Sequence, residues 1–163
     1  MRFALALLAL AAAVATSASA APVLDPAYGT VLQEAEANKL LSQCSRIAPE
    51  RVEGQWQPSP EQLRELEARL PSALGEALSK RAQNRAEARH IARQYAGFVV
   101  AGRKSVYVNA FPQSETEPPA PGVKPWDWRR KALIVCDGGA MFFGVEYDPE
   151  KKTFSHFAFN GGF

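Results

Sequence analysis

The stretch that decides the fold is MFFGVEYDPEKKTFSHFAFN, residues 141–160. Two runs rich in aromatic and β-branched residues, Met141–Tyr147 and Thr153–Asn160, flank the turn-forming segment Asp148–Lys152. Such runs favour strands, and Asp, Pro and charged residues favour a chain reversal. Side chains alternate along the first run, so one set is expected to face a core: Met141, Phe143, Val145 and Tyr147. The stretch predicts an antiparallel hairpin.

Three further strands are predicted upstream of this hairpin. Tyr95–Ala101 and Ser105–Phe111 flank a short loop, Gly102–Lys104, and alternate with a period of two. Lys131–Asp137 follows as the next strand and enters the hairpin through an Asp-Gly-Gly turn. The segment 112–125 contains five prolines and is predicted to be a loop, because proline cannot join a ladder of hydrogen bonds.

The N-terminal half carries helix signals instead. Asp25-Pro26 has the form of an N-cap followed by proline, and predicts a first helix that continues to Cys44. Ser59–Gln62 is a capping box that starts a second helix, which Pro71 should kink or split. The segment Ser45–Pro58 between them is predicted to be a connection.

Helices followed by strands predict an α+β fold. The N-terminal helices are expected to pack on one face of an antiparallel sheet of about five strands. The chain has 163 residues, which suits one domain over residues 21–163, with a helical part 25–92 and a sheet part 93–163.

The first twenty residues predict a cleavable export signal. Arg2 supplies a positive start, an apolar run follows, and Ala18-Ser19-Ala20 places small residues at the cleavage point. A membrane anchor is the alternative, but Thr16 ends the apolar run before the length that spans a bilayer. The mature protein is therefore expected to be periplasmic or secreted, with no transmembrane segment after cleavage.

The predicted export decides how the two cysteines, Cys44 and Cys136, are interpreted. In an oxidising compartment a lone pair of cysteines is most simply a disulfide. The pair is expected to join the first helix to a strand near the C-terminus. The alternative is a nucleophilic thiol, which would require a positive setting and a neighbouring base.

The formal net charge of +2 argues against a dedicated nucleic-acid binder. Arg81, Arg85 and Arg89 recur at helical spacing and would form a cationic stripe that could hold an anionic partner. The alternative is an ordinary solvated helix face.

Few residues suggest catalysis. The two histidines, His90 and His156, have no metal-ligand spacing, and no cofactor motif is present. His156 is expected to share a sheet face with Phe154 and Ala158. Acidic side chains cluster around the first strand of the hairpin: Asp137, Glu146 and Asp148. They could supply an acid and base pair, or they could simply form turns.

The sequence does carry residue types that are common in protein interfaces. Trp126, Trp128, Arg129 and Arg130 combine the side chains enriched at binding hot spots. Asp137 and Phe142, beside the hairpin, complete the predicted partner-binding set. The alternative is that the helices and the proline-rich loop cover both sheet faces and leave no patch.

The run Cys136–Asp148 and the ending Phe159-Asn160-Gly161 resemble a signature of small exported proteins of Gram-negative bacteria to which no activity is assigned. Arg93–Gly97 and Tyr107-Val108-Asn109 belong to the same resemblance. It covers the second half of the chain. It implies a periplasmic or secreted single domain and no catalytic residue.

These observations predict an exported binding or inhibitory module that recognises a protein partner, such as an envelope enzyme or a toxin. An envelope hydrolase that uses Asp137, Glu146, Asp148 or His156 is the alternative. A structural envelope protein is a third class, but the chain lacks the repeats or anchors that would support it.

Overall fold

The computed structural model describes residues 25–80 and 90–161. The predicted export signal, residues 1–20, lies outside these ranges. So do Arg81, Arg85 and Arg89, and both predictions stand as sequence-based expectations.

Six strands and two helices occupy the described ranges. The strands are β1 (Gly29–Val31), β2 (Val52–Trp56), β3 (Ile91–Val100), β4 (Arg103–Pro112), β5 (Phe143–Asp148) and β6 (Thr153–Phe159). The helices are α1 (Glu34–Lys39) and α2 (Pro60–Ser79). Short 3-10 turns cover Pro26–Tyr28, Gln113–Thr116 and Gly139–Met141.

The strands form one mixed sheet in the order β1-β3-β4-β5-β6, with β2 also paired to β3. β1 runs parallel to β3 beside Arg93–Tyr95, and β2 runs antiparallel to it beside Gly97–Val100. Both short strands therefore share one edge of β3. The α+β class is confirmed, whereas the expected purely antiparallel sheet of about five strands is corrected to a mixed sheet of six.

Residues 25–80 are less helical than predicted. The Asp25 side chain accepts a hydrogen bond from Ala27 N, but it caps only a 3-10 turn before β1 begins. α1 has six residues and ends before Cys44. The predicted connection Ser45–Pro58 contains β2, whose Trp56 donates from Nε1 to the carbonyl oxygen of Phe98 at 3.1 Å. Backbone pairing with β3 thus outweighs the local helix signals.

The second helix begins as predicted. Ser59 Oγ accepts from Gln62 N at 3.2 Å, and Gln62 Oε1 accepts from Ser59 N at 2.9 Å. α2 continues as one helix through Pro71, which is buried. The proline therefore does not split the helix.

The hairpin of β3 and β4 turns at Ala101-Gly102 rather than at Gly102–Lys104. Both turn residues have positive φ, 49° and 73°, as the tightest antiparallel reversals require. In the C-terminal hairpin Phe143, Val145 and Tyr147 are buried on the core side as predicted. Met141 packs against the same core from a 3-10 turn instead of a strand.

The two helices contact opposite faces of the sheet, instead of sharing one. Four leucines of α2 pack with Tyr95, Val106, Val108 and the core side of β5: Leu66, Leu70, Leu74 and Leu78. α1 supplies Ala37 and packs with the alternate residues Ala96, Phe98 and Tyr107. We call the α2 side the first face and the α1 side the second face. Since α1 is short, loops complete the cover of the second face.

Candidate functional site

Two loops pack on the second face of the sheet, through Leu40 of one and Trp128 and Ala132 of the other. One spans residues 40–51 and the other residues 117–138, and we call the two together the loop layer. Cys44 and Cys136 join them in a disulfide, with Cα atoms 5.1 Å apart. The predicted pairing is present, but it joins two loops instead of a helix and a strand. Both cysteines are exposed at the outer surface of the layer.

Residues Lys131–Asp137 belong to this layer and form no strand, contrary to the sequence prediction. Their backbone hydrogen-bonds to buried side-chain amides of the sheet. Gln94 Nε2 donates to the carbonyl oxygens of Trp128 at 2.5 Å and Lys131 at 2.7 Å, and Gln94 Oε1 accepts from Leu133 N at 3.0 Å. The segment therefore lies across the face of the sheet instead of pairing at its edge.

Two more amides hold the rest of the segment. Asn109 Nδ2 donates to the carbonyl oxygen of Leu133 at 2.9 Å. Asn160 Nδ2 donates to the carbonyl oxygens of Val135 at 2.6 Å and Asp137 at 2.7 Å. Buried polar groups without such partners destabilise a fold, so these bonds fix the path of the loop.

Arg46 ties the other loop to the same amides. Its guanidinium donates to Asn109 Oδ1 and Asn160 Oδ1, and its Nε donates to Tyr107 Oη at 3.4 Å. Burial raises the pKa of Tyr107, and the nearby guanidinium opposes that shift. Glu36 of α1 adds a further tie by accepting from Ala132 N at 2.9 Å. Hydrogen bonds thus attach both loops of the layer to the rest of the fold.

Gln94, Asn109, Asn160 and Arg46 were not predicted as site residues. Three of these residues lie in the segments on which the family resemblance rests: Gln94, Asn109 and Asn160. The available signal was an amide side chain within or directly beside a predicted strand. Such a group requires a buried partner, but the sequence does not say which backbone supplies it.

The predicted partner-binding residues divide into buried and exposed groups. Trp128 is only 6% exposed and meets Phe111 edge to face, with ring centroids 6.1 Å apart. Phe142 is buried in the same cluster. These two aromatics are therefore core residues, and the prediction that they contact a partner is corrected.

Arg129 lies over the Trp128 ring, with its guanidinium carbon 4.4 Å from the ring centroid. Its Nη2 donates to the carbonyl oxygen of Ala27 at 2.5 Å, so the side chain anchors the layer to the N-terminal segment. Trp126, Arg130 and Asp137 remain at the surface. Trp126 is 49% exposed, and Lys131 lies beside its ring.

Exposed large hydrophobic side chains are concentrated in the loop layer. Within residues 25–80 and 90–161 these side chains are Ile47, Val123, Trp126 and Ile134. One belongs to the first loop and three to the second. Since the disulfide joins the same two loops, the layer presents apolar side chains on a covalently linked support.

A small cavity opens where the first loop meets β5 and β6. It has a volume of about 300 Å³, and its lining includes Ile47, Glu50, Tyr107, Glu146 and His156. His156 Nδ1 lies 2.9 Å from Glu146 Oε1, and the histidine side chain is 74% exposed. Two of the four predicted hydrolase residues thus converge.

A bulge in β6 produces this pair. The register shifts between Gly144 and Glu146, and His156 adopts a positive φ of 54°. Phe157 then points to the first-face core with Phe154, while His156 reaches Glu146 on the second face. The expectation that His156 shares a face with Phe154 is wrong because it assumed regular alternation.

The remaining acidic candidates lie elsewhere. Asp148 Oδ1 accepts from the backbone nitrogens of Glu150 and Lys151, each at 2.9 Å, so Asp148 forms the turn between β5 and β6. Asp137 is exposed, and its backbone carbonyl binds Asn160. In the described part of the chain no three His, Cys, Asp or Glu side chains gather as metal ligands.

No family model, curated protein or solved structure matches this chain. Among the described residues, no helix has the length and apolar character needed to cross a membrane.

Proposed function

We propose that this chain is an exported recognition module that binds a protein partner through the loop layer. The observation that carries the proposal is that the large hydrophobic side chains exposed among the described residues, Ile47, Val123, Trp126 and Ile134, all lie on the two loops that the disulfide joins. Exposed apolar groups on a crosslinked support suit recognition, because a constrained loop loses less entropy on binding. Trp126 and Arg130 are the residue types that contribute most at interfaces.

Export is part of the proposal. A cleaved signal over residues 1–20 would deliver the chain to the periplasm or beyond, where the Cys44–Cys136 disulfide persists. Membership of the small exported Gram-negative family, inferred from the C-terminal signature, is consistent with that route. N-terminal sequencing of protein purified from the periplasm or the medium should begin near Ala21. Absence of the chain from both would contradict export, and a start at Met1 in the exported protein would contradict cleavage.

The binding experiment places a photo-crosslinking amino acid at the exposed position 123 of the loop layer, which leaves Trp126 and Arg130 in place, and irradiates the protein in a periplasmic extract. One specific protein should be captured, and that protein, once purified, should bind the wild-type chain directly. The double substitution Trp126→Ala, Arg130→Ala should abolish direct binding. Arg64→Ala, at an exposed position of α2 on the opposite face, is the matched control and should leave binding intact. Binding that survives the double substitution would place the interface elsewhere.

One observation favours a second candidate, the envelope hydrolase. Glu146 bonds His156 Nδ1, an arrangement that orients the ring and leaves Nε2 to take a proton from water. Hydrolysis of a peptide or glycan substrate should then be lost in both His156→Gln and Glu146→Gln. Asp148→Asn removes a carboxylate from the adjacent turn and is the control. Activity unchanged in His156→Gln would eliminate this candidate.

A further inference from the structure

The lining of the cavity at the first loop, β5 and β6 combines negative charge with apolar walls. Two carboxylates line it, those of Glu50 and Glu146, and the described lining contains no lysine or arginine. The walls beside them are aliphatic: Ile47, Ala48 and Val100. Such a lining complements a cation that is carried on a hydrocarbon chain.

The cations in the neighbourhood do not neutralise these carboxylates directly. Arg46 donates from Nε to Tyr107 Oη, and its other two donor groups bind the amides beneath the loop layer. Arg51 and Arg103 are exposed and lie outside the lining. Among the described residues, His156 is the one side chain that hydrogen-bonds to either lining carboxylate.

Glu146 is the carboxylate better placed to receive a cation. Its side chain is only 14% exposed, whereas Glu50 is an exposed residue. Glu146 Oε1 bonds His156 Nδ1 at 2.9 Å, and Oε2 accepts from no described residue. A carboxylate that is largely removed from water attracts a cation more strongly than an exposed one, because solvent and salt screen it less.

The lining favours an organic cation over a metal ion. Glu50, Glu146 and His156 share the cavity, but in the described ranges they do not converge as a group of three metal ligands. The aliphatic walls suit a hydrocarbon chain, which gains from leaving water, rather than a hydrated ion. The volume of about 300 Å³ is at the lower end for ligand pockets and suits one unbranched side chain.

The cavity adjoins the surface that we propose for partner binding. Ile47 is 73% exposed and belongs both to the cavity lining and to the exposed hydrophobics of the loop layer. A partner in contact with Ile47 therefore lies at the mouth of the cavity. Val100 lies about 30 Å along β3 from Ile91, so the cavity is remote from the start of the range 90–161.

From these features we infer that the cavity binds a lysine or arginine side chain of the protein partner. Its aliphatic part would lie against Ile47 and Val100, and its cationic end beside Glu146. The inference rests on the proposed partner binding and adds the chemistry that the partner presents.

An NMR titration of the purified chain tests the site without the partner. The probes are the capped peptides acetyl-Gly-Arg-Gly-amide and acetyl-Gly-Lys-Gly-amide. At least one should shift the backbone amides of Val100 and Glu146 saturably, with a dissociation constant on the order of 1 mM. The uncharged acetyl-Gly-Gln-Gly-amide should bind at least about fivefold more weakly. Absence of saturable binding by both basic peptides, or equal affinity for the uncharged one, would overturn the inference.

Variants of the lining locate the bound cation. Glu146→Gln removes the charge at nearly constant volume and should weaken binding of the basic peptide about fivefold or more. Asp148→Asn removes a carboxylate from the adjacent turn, outside the lining, and should leave it unchanged. Ala48→Leu fills the cavity and should weaken binding similarly, whereas Ala35→Leu, at an exposed position of α1, should not. Circular dichroism of each variant confirms folding, and unchanged affinity in Glu146→Gln would overturn the inference.

The captured partner separates this inference from the proposed function. Its direct binding should also weaken about fivefold or more in Glu146→Gln. A partner that binds Glu146→Gln and the wild type equally would overturn the inference and leave the proposed function standing. Peptide binding without any captured partner would contradict the proposed function while supporting a site for basic side chains. Agmatine, a free alkylguanidinium, binding tenfold more tightly than the arginine peptide would show that the occupant is a small cation instead of a side chain.

Discussion

Asn109 donates from Nδ2 to Gln94 Oε1 at 2.9 Å, inside the sheet and beneath the loop layer. The two side chains are paired across β3 and β4, where Gln94 lies opposite Asn109 in the register. Each also holds the backbone of the covering segment, at Leu133. This pair is therefore the link between the regular sheet and the irregular surface that we propose for recognition.

The first prediction concerns Gln94→Met. The substitution retains volume but leaves the carbonyl oxygens of Trp128 and Lys131 and the nitrogen of Leu133 without their partner. A buried unsatisfied group costs about 1–3 kcal/mol, so a loss of about 3–5 kcal/mol in the free energy of unfolding is expected. Urea denaturation measures it, and hydrogen exchange should accelerate most at Leu133.

Gln57→Met is the matched control, because Gln57 is exposed. It should change the unfolding free energy by less than about 0.5 kcal/mol. Equal stabilities for Gln94→Met and the wild type would mean that Gln94 does not hold the layer.

The regular elements could be predicted from local patterns. Alternation placed Phe143 and Val145 in the core, and the Ser59 capping box located the start of α2. These signals act within a few residues of the chain. The short strands β1 and β2 pair with β3, which comes much later in the sequence. No local pattern therefore reveals this pairing.

The candidate site could be predicted only in part. The predicted export to an oxidising compartment indicated the disulfide, and residue type indicated Trp126 and Trp128 as candidate binding residues. Residue type cannot say which indole is buried, because that depends on the path of the loop. Gln94 and Asn109 set that path, and their partners are backbone groups, which every residue carries.

The second prediction separates the two tryptophans. Trp128→Ala should lower the free energy of unfolding by about 3–5 kcal/mol, because it removes a buried ring that packs on Phe111. Trp126→Ala should lower it by less than about 1 kcal/mol, because half of the side chain is already in water. Chemical denaturation of both variants provides the comparison. Equal losses would contradict the assignment of Trp128 to the core and Trp126 to the surface.

The third prediction concerns the disulfide. It closes a loop with a sequence separation of 92, and the chain-entropy model assigns about 4 kcal/mol to a closure of that length. Cys44→Ser, Cys136→Ser should lose about that much in denaturant titration. Reduction of the wild type should lower stability to the same level. A much smaller loss in both would mean that the amides and Arg46 alone hold the layer.

The fourth prediction concerns a buried ion pair on the first face. Arg93 is fully buried, and its Nη2 lies 2.6 Å from Glu67 Oε1. Glu67→Gln leaves the guanidinium without a counter-charge, and removal of one partner of a buried pair costs about 3–5 kcal/mol. Glu65→Gln is the matched control, since Glu65 pairs with the solvent-exposed Lys152 and Arg69, and its effect should be far smaller. Thermal and urea denaturation of the two variants should therefore rank Glu67→Gln well below Glu65→Gln, and the reverse order would contradict this role.

The fifth prediction concerns alkaline pH. Burial raises the pKa of Tyr95 and that of Tyr107, so above the ordinary tyrosine pKa of about 10 the unfolded chain releases protons that the folded chain retains. The unfolded state then binds fewer protons, and stability must fall as pH rises. The stabilising contribution of each tyrosine is fully present below about pH 10. Above that pH, each tyrosine lowers the free energy of unfolding by at most about 1.4 kcal/mol per pH unit.

Tyr95→Phe tests the assignment of this slope. The phenol donates to Glu67 Oε1 at 2.6 Å and accepts from Arg93 Nε at 3.1 Å, so the variant should be less stable at neutral pH. Between about pH 10 and 11, however, the free energy of unfolding of the variant should fall less steeply than that of the wild type, because one tyrosine with a raised pKa is gone. Urea titrations across this range separate the two effects, since one changes the stability at neutral pH and the other changes the slope. An unchanged slope in Tyr95→Phe would mean that Tyr95 does not contribute to the alkaline transition.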